Sequence, residues 1–452
     1  MIFYGDERMK NKSALYALSY IQECDNPYVV FCNLIQYVLY KTSKNELPEG
    51  ELVNAIKNEF GITIPRGVVK IATGILLSQK IIEKSYVYRL VNCTIDIKAF
   101  EDQMDTLKSN EQMLLLSIKK YLYDKYNQDW DDDRIIRALS SLLTVSDYNA
   151  SVALFSKNDI EVEPVLYSDE YFVKRYLQWI IETKDICFNH VLQIVKGIII
   201  FIGISQADDL DAKKKNTGTK FFIDTKLALR ILGYSNQANV QASKELVRLI
   251  QDTYGGKICI FGRTIEEVHN ALSKASEDVK AGCFTDLEMY QFCLVNNYNS
   301  MDFSIDAENI NLILTQNGIT IEEDVNWNVE LVRKHTLDIE SLIKYISKMH
   351  PKWKESSIKN DVYNINQINI LRKSNYSKRY GGDNKLPILV TTNGALVETI
   401  KSFVRESEIE GEKCLLTSKS VPIITDDGLM CGLWTKFKLS DDLPLIRLSQ
   451  IA

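Results

Sequence analysis

Three acids and one asparagine in the second half of the chain lie where an α/β protein carries its chemistry. Asp224 and Asn393 each come at or just after the end of a short apolar run, and Glu267 lies in the helical pattern that follows another. Asp361 lies four and seven residues before Ile365 and Ile368, so it faces the packed side of its helix. Open α/β sheets present their sites at the carboxyl ends of their strands. Carboxylates gathered there are typical of sites for hard divalent cations.

Each of these residues also has a simpler interpretation. Asp224 could only cap the helix that follows it, which is a common role for aspartate. Glu266 and Glu267 could be solvated helix acids, and Asp361 could be a helix-start residue. The order of the residues along the chain therefore matters more than any one of them.

Four apolar runs predict the sheet that would position these side chains. They span residues 221–223, 257–261, 387–390 and 421–424, and helical patterns separate them. Runs that are apolar on both faces indicate parallel strands covered on both sides, which is an α/β fold. The gap between the second and third runs is too long for one crossover, so we expect a helical insertion at about 273–350. Within it, Ile339, Leu342, Ile343 and Ile346 form a helical stripe.

The motifs in sequence resemble the PIN-domain nuclease family over residues 220 to about 434, apart from the insertion. They are Ile223-Asp224-Thr225, Glu267-Val268, Asp361 with Ile365 four residues later, and Thr391-Thr392-Asn393. The resemblance implies a PIN-like parallel α/β/α sandwich that cuts RNA, less often DNA, with Mg²⁺ or Mn²⁺. It implies Asp224, Glu267 and Asp361 as metal ligands and Thr391 as a hydrogen-bonding support. Glu267 is preferred to Glu266 because Val268 follows it.

Two positions depart from the family pattern. Asn393 stands where the family usually has an aspartate, and its amide oxygen could bind the metal or a metal-bound water. Lys226 stands where Asn or Ser is frequent. Weak metal binding and loss of activity both stay open. Asp426 and Asp427 could supply the missing acid, although Asp-Asp-Gly is more simply interpreted as a turn.

A basic stretch between the Asp361 helix and the third apolar run is a candidate nucleic-acid contact. It contains Arg372, Lys373, Lys378, Arg379 and Lys385, with Tyr376 and Tyr380 among them. Charge and stacking there could guide a nucleic-acid backbone past the acids. A solvated loop is the alternative interpretation.

The amino-terminal half is expected to be mostly helical. Residues 1–96 pattern as three helices and two short strands and resemble a winged-helix domain, while 97–205 pattern as helix throughout. Arg66, Lys70 and Lys80 make its third helix only mildly basic, so DNA contact and protein docking both stay open. Residues 206–219 indicate a linker before the PIN-like domain at 220–452. The four aspartates of 129–133 are interpreted as a solvated helix start, with metal binding as the minor alternative.

The whole-chain composition excludes several classes of protein. The 452 residues carry a net charge of -6, so a nucleic-acid contact requires a local patch. Nine scattered cysteines without a C-x-x-C pair indicate reduced thiols in a cytoplasmic protein. We expect no secretory signal, membrane span or ATP-binding phosphate loop.

The sequence thus predicts a metal-dependent nuclease, with RNA more favoured than DNA as substrate because of the family resemblance. A protein partner could bind the amino-terminal half. The alternative is a catalytically inactive PIN-like and winged-helix scaffold, or a nucleic-acid-binding subunit of a larger assembly.

Overall fold

The structure is a computed structural model that describes residues 15–21, 27–42, 45–62, 64, 66–144, 167–206, 218–283, 286–325, 333–373, 386–410, 416 and 421–437. The chain divides into two compact units. One comprises residues 1–208 with 451–452, and the other comprises 209–450. Most of the predicted linker at 206–219 lies outside the described residues.

The first unit begins with helices packed against a small antiparallel sheet. The helices are α1 (Pro27–Lys41), α2 (Glu49–Phe60) and α3 (Arg66–Ser78), and the strands are β1 (Glu46–Pro48), β2 (Ile82–Lys84) and β3 (Val87–Leu90). The sheet order is β1-β3-β2, with Ile82 opposite Leu90 in the hairpin. The alternating pattern after residue 81 therefore forms the two short strands that it predicts.

Helices make up the rest of the first unit within the described residues. They are α4 (Ile97–Tyr126), α5 (Asp132–Thr144), α6 (Tyr167–Thr183) and α7 (Cys187–Gln206). Asp131 Oδ1 accepts from the Arg134 backbone N–H at 2.7 Å, which confirms the acidic run as a helix start. The apolar run 194–204 lies in α7, where most of its side chains are buried. Among the described residues, no helix is long and apolar enough to cross a membrane.

The second unit is built on a five-stranded parallel sheet. Its strands are β4 (Lys220–Ile223), β5 (Lys257–Phe261), β6 (Thr320–Glu322), β7 (Ile388–Thr391) and β8 (Ile423–Thr425), in the order β6-β5-β4-β7-β8. Phe222 is opposite Cys259 on one side and Leu389 on the other. The four predicted strands are confirmed, and the unit is an α/β fold.

Two apolar cores cover the two faces of this sheet. Phe221 and Ile223 belong to one core, and Phe222 between them belongs to the other, because successive strand side chains point to opposite faces. The first core receives α8 (Thr225–Leu232), α9 (Gln237–Arg248), a π-helical turn (Leu249–Tyr254), α10 (Gly262–Ala281), α11 (Leu287–Asn296), α12 (Ser300–Glu308), α13 (Ile310–Gln316) and α17 (Asp426–Phe437). The second receives α14 (Ile339–Met349), α15 (Glu355–Leu371) and α16 (Gly394–Glu410).

The segment at 273–350, expected to be a helical insertion, contains a strand besides its helices. The segment does contain α11 to α14, and α14 buries Leu342 and Ile346 of the predicted stripe. However, it also contains β6, which pairs parallel to β5 with Ile321 opposite Ile260. β6 is a three-residue edge strand whose side chains are not buried, so it lacks the apolar run that marks a central strand.

Candidate metal site at the carboxyl ends of the strands

Asp224 lies at the junction of the central strand β4 with α8. Its backbone N–H donates to the Val390 carbonyl at 3.1 Å, which continues the pairing with β7. Its Oδ1 accepts from the Leu227 N–H at 2.7 Å, so Asp224 caps α8. The helix-cap interpretation is therefore correct, and the capping hydrogen bond uses one of the two carboxylate oxygens.

The second oxygen of Asp224 is held from the neighbouring strand. Oδ2 accepts from Thr391 Oγ1 at 2.6 Å and from the Thr392 backbone N–H at 3.0 Å. The Thr391 side chain is 2% exposed, as suits the supporting residue that the sequence predicts. Burial raises the pKa of Asp224, and the hydrogen bonds from Thr391, Leu227 and Thr392 oppose that rise. The carboxylate is thus fixed between two strands, with further lone pairs on both oxygens.

Glu267 is held in place by side chains from two different elements. Its Oε2 accepts from Thr225 Oγ1 at 2.5 Å, and its Oε1 accepts from the Asn360 side-chain amide. Thr225 directly follows Asp224, and Asn360 directly precedes Asp361. The two residues that orient Glu267 are therefore the chain neighbours of the other two candidate ligands.

Asp361 is a buried acid whose pKa responds to the other two candidate ligands. Burial raises the pKa of its carboxyl group to about 8, and the charges of Asp224 and Glu267 contribute to the increase. The structure therefore brings the three predicted ligands close enough to repel one another. Since they lie 43 and 94 residues apart in sequence, this proximity is a product of the fold.

Asp426 is a fourth acid of this sheet edge, and its interpretation as a turn residue is wrong. It begins α17 directly after β8. Thr391 of β7 is opposite Thr425 of β8, so Asp426 lies at the same edge as Asp224. Burial, together with the charges of Asp427 and Asp224, raises the pKa of Asp426 well above its ordinary range. The alternative that Asp426 could supply the missing acid stays a prediction, and its place at the end of the fourth predicted strand agrees with it.

Arg230 partly compensates the charge of Asp426. Its Nη1 lies 3.8 Å from Asp426 Oδ2, and its Nε and Nη2 donate to the Glu288 carboxylate at 3.1 and 2.9 Å. Burial by itself would raise the pKa of Glu288. Hydrogen bonds from Arg230, Ser235 and Lys226 outweigh burial and hold this pKa far below its ordinary value. Lys226, which departs from the family pattern, thus pairs with Glu288 at 2.9 Å.

Asn393 has a helix-capping contact in the structure. Its Oδ1 accepts from the Leu396 N–H at 3.1 Å at the start of α16, and its own backbone N–H donates to Thr391 Oγ1 at 3.0 Å. The side chain lies at the predicted sheet edge and is partly exposed. The backbone N–H of Asn393, and not its side chain, supports the Thr391 hydroxyl that holds Asp224.

The predicted basic patch loses one member. The Arg372 side chain is 4% exposed, and its Nε donates to the Pro387 carbonyl at 2.7 Å, so it joins α15 to the segment before β7. The expectation that it contacts nucleic acid is wrong, because a buried guanidinium is not available to a backbone phosphate. Lys373 is exposed. Lys378, Arg379 and Lys385 lie outside the described residues.

The carboxylate oxygens of Asp224, Glu267 and Asp361 are of the type that hard divalent cations prefer, although these side chains do not converge on one point. Among the described residues, no group of three or more His, Cys, Asp or Glu side chains is arranged to hold a metal ion. Burial nevertheless raises the pKa of Asp361, and the charges of Asp224 and Glu267 add to the increase. A cation that prefers carboxylate oxygens would offset this repulsion.

Comparisons with protein-family models, curated proteins and solved structures find no match, so the site's geometry and chemistry are the grounds for assigning a function.

Proposed function

We propose that the second unit is a metal-dependent nuclease of the PIN-like type. Asp224 at the end of β4, Glu267 in α10 after β5 and Asp361 in the second turn of α15 bind Mg²⁺ or Mn²⁺. The observation that carries the proposal is the pKa of Asp361, which burial and two neighbouring carboxylates raise to about 8. Strongly perturbed acids at one sheet edge are typical of catalytic sites.

Each residue has a defined task in this proposal. The metal, when bound, supplies a Lewis acid that activates water and offsets charge on a phosphodiester. Thr391 and the Thr392 N–H fix the Asp224 carboxylate. Thr225 and Asn360 fix both oxygens of Glu267. Their hydrogen bonds orient the candidate ligands before a metal arrives, as second-layer contacts do in metal sites.

RNA is the proposed substrate, with DNA less favoured, because the sequence motifs resemble those of a family that mostly cuts RNA. The first unit supports a role in docking. Its order of helix, strand, two helices and a hairpin resembles that of a winged helix, and Tyr86 between the hairpin strands is fully exposed. We propose this winged-helix-like part as a contact for a protein partner or nucleic acid.

An inactive scaffold or nucleic-acid-binding subunit is the alternative function, and Asn393 is the observation that favours it. A neutral side chain stands where the family pattern has an acid, and its oxygen caps α16. Asp426 argues in the other direction because it adds an acid at the same edge.

Cleavage of labelled single-stranded RNA and DNA by the purified chain tests the proposal. We expect cleavage of RNA with Mn²⁺ and none with EDTA. Asp224→Asn and Glu267→Gln should each lower the rate at least about 100-fold, because each removes a ligand charge from the metal site. Asn can still cap α8, so the first change preserves the helix start.

Glu266→Gln is the matched control, since Glu266 neighbours Glu267 on α10 and its side chain is exposed. It should cleave like the wild type. Equal product from the wild type and Asp224→Asn would refute the nuclease assignment and leave the scaffold.

A further inference from the structure

Arg263 and Tyr363 form a cation–π pair beside the candidate metal site. The Arg263 Cζ lies 4.0 Å from the centroid of the Tyr363 ring. Arg263 is in the first turn of α10 and Tyr363 is in α15, and both side chains are partly exposed. The guanidinium is therefore held against an aromatic face at the surface.

The pair adjoins Glu267. Arg263 precedes Glu267 by four residues, which places it on the same face of α10 about 6 Å along the helix axis. Tyr363 follows Asn360, which donates to Glu267, by three residues on α15. The next residue of each helix continues the contact: the buried Asn364 side-chain amide donates to Thr264 Oγ1 at 3.2 Å, and Thr264 Oγ1 lies 3.5 Å from Asn364 Oδ1. The Arg263 and Tyr363 side chains thus belong to the same helix crossing that holds Glu267.

Arg263 differs from the other cations near this sheet edge. Arg230 and Lys226 are both committed to Glu288. In the described part of the chain, no carboxylate forms an ion pair with the Arg263 guanidinium. Asp324, the acid that interacts with it electrostatically, accepts from the Gly262 backbone N–H at 3.1 Å. Among the residues that the structure describes, the hydrogen-bonding edge of Arg263 has no carboxylate partner and is available to an external anion.

We propose that Arg263 binds a backbone phosphate of the single-stranded nucleic acid that the metal site cleaves, and that Tyr363 is a positioning residue that holds the guanidinium. The proposal rests on the proposed function. A site lined by four acids repels a polyanion, so a cation close to it is needed to retain the strand. Arginine binds phosphate through its planar fork, and stacking on a ring restricts its motion before binding.

Binding of a short fluorescein-labelled oligouridine to the full chain tests this, measured by anisotropy in EDTA from about 50 to 200 mM salt. Arg263→Gln should weaken binding about 5- to 30-fold at low salt, which is the effect of one charge-assisted contact. It should also reduce the slope of log affinity against log salt by about 0.7, as for one lost contact to a single strand. A loss of structure alone would not produce that defined change in slope.

Three further variants separate charge, stacking and folding. Arg263→Lys should keep the salt slope but bind more weakly, because an ammonium lacks the planar fork. Tyr363→Phe should bind like the wild type because the ring remains. Tyr363→Leu, which lacks the ring, should bind at least about threefold more weakly. Lys274→Gln is the charge-matched control, since Lys274 lies three turns further along α10, where it pairs with Asp278 at 3.0 Å. Thermal melting checks that each variant is folded.

The outcomes distinguish this proposal from the nuclease assignment. If Arg263→Gln binds RNA as Lys274→Gln does, the phosphate contact is refuted even when the wild type cleaves RNA with Mn²⁺. If Arg263→Gln lowers affinity and slope but the wild type does not cleave, the contact stands and the nuclease assignment fails. If the wild type does not bind the oligouridine at all, the contact is refuted.

Discussion

Replacing Asp361 by asparagine is expected to stabilise the metal-free protein at alkaline pH. In the folded state, burial and the charges of Asp224 and Glu267 raise the pKa of Asp361 from 3.8 to about 8. Between these two values the folded protein holds a proton that the unfolded chain releases. The stability contributed by this proton is therefore complete below about pH 4 and is lost as the pH rises through about 8.

The size of the effect follows from the same shift. At about 1.36 kcal/mol per pKa unit, a shift of about four units sets an upper bound of about 6 kcal/mol. Solvent entry and side-chain movement reduce this, so we expect Asp361→Asn to gain about 1 to 3 kcal/mol at about pH 8. For a unit of this size, that gain corresponds to about 2 to 10 °C in melting temperature.

Thermal unfolding of the full chain in EDTA at about pH 5 and about pH 8 measures the effect. Asp361→Asn should melt only slightly above the wild type at the lower pH and clearly above it at the higher pH, because the stability of the protonated carboxyl group is lost progressively between about pH 4 and about pH 8. Adding Mn²⁺ at the higher pH should stabilise the wild type more than the variant, because the cation offsets the repulsion that the variant lacks. Glu277→Gln, in the same unit but 71% exposed, should change neither transition.

The reasoning is refuted if Asp361→Asn melts below the wild type at the higher pH in EDTA. That result would mean that the carboxylate is stabilised by its surroundings and is not repelled by its neighbours.

Three further changes test other parts of the site. Asn393→Asp should retain the cap on α16 and strengthen Mn²⁺ binding at least about threefold, measured by metal-dependent melting; unchanged binding would place residue 393 outside the metal site. Thr391→Val should lower the free energy of unfolding by about 1 to 2 kcal/mol in urea, because the Asp224 carboxylate loses a buried donor; no change would show that this hydrogen bond is dispensable. Arg372→Met should cost about 2 kcal/mol or more by leaving the Pro387 carbonyl without its donor, yet leave the salt dependence of RNA binding unchanged; a reduced salt slope would restore Arg372 to the nucleic-acid contact.

The strands of the sheet were largely predictable because their signal is local. Central strands buried on both faces require continuous apolar runs, and the four runs became β4, β5, β7 and β8. The face of Asp361 was also predictable, because helical periodicity places it with Ile365 and Ile368. β6 was missed because its residues are not buried and form no apolar run, whereas β8, an edge strand of the same length, is buried.

The sequence by itself determined which residues could carry charge at the ends of the strands. Only the tertiary structure decided how those charges interact. Burial and proximity across 94 and 137 positions raise the pKa of Asp361, and the pairing of β7 with β8 brings Asp426 to the same edge. The fold also turned Arg372 inward and left Arg263 stacked at the surface. Electrostatic interaction depends on distance and solvent access in three dimensions, which chain order does not specify.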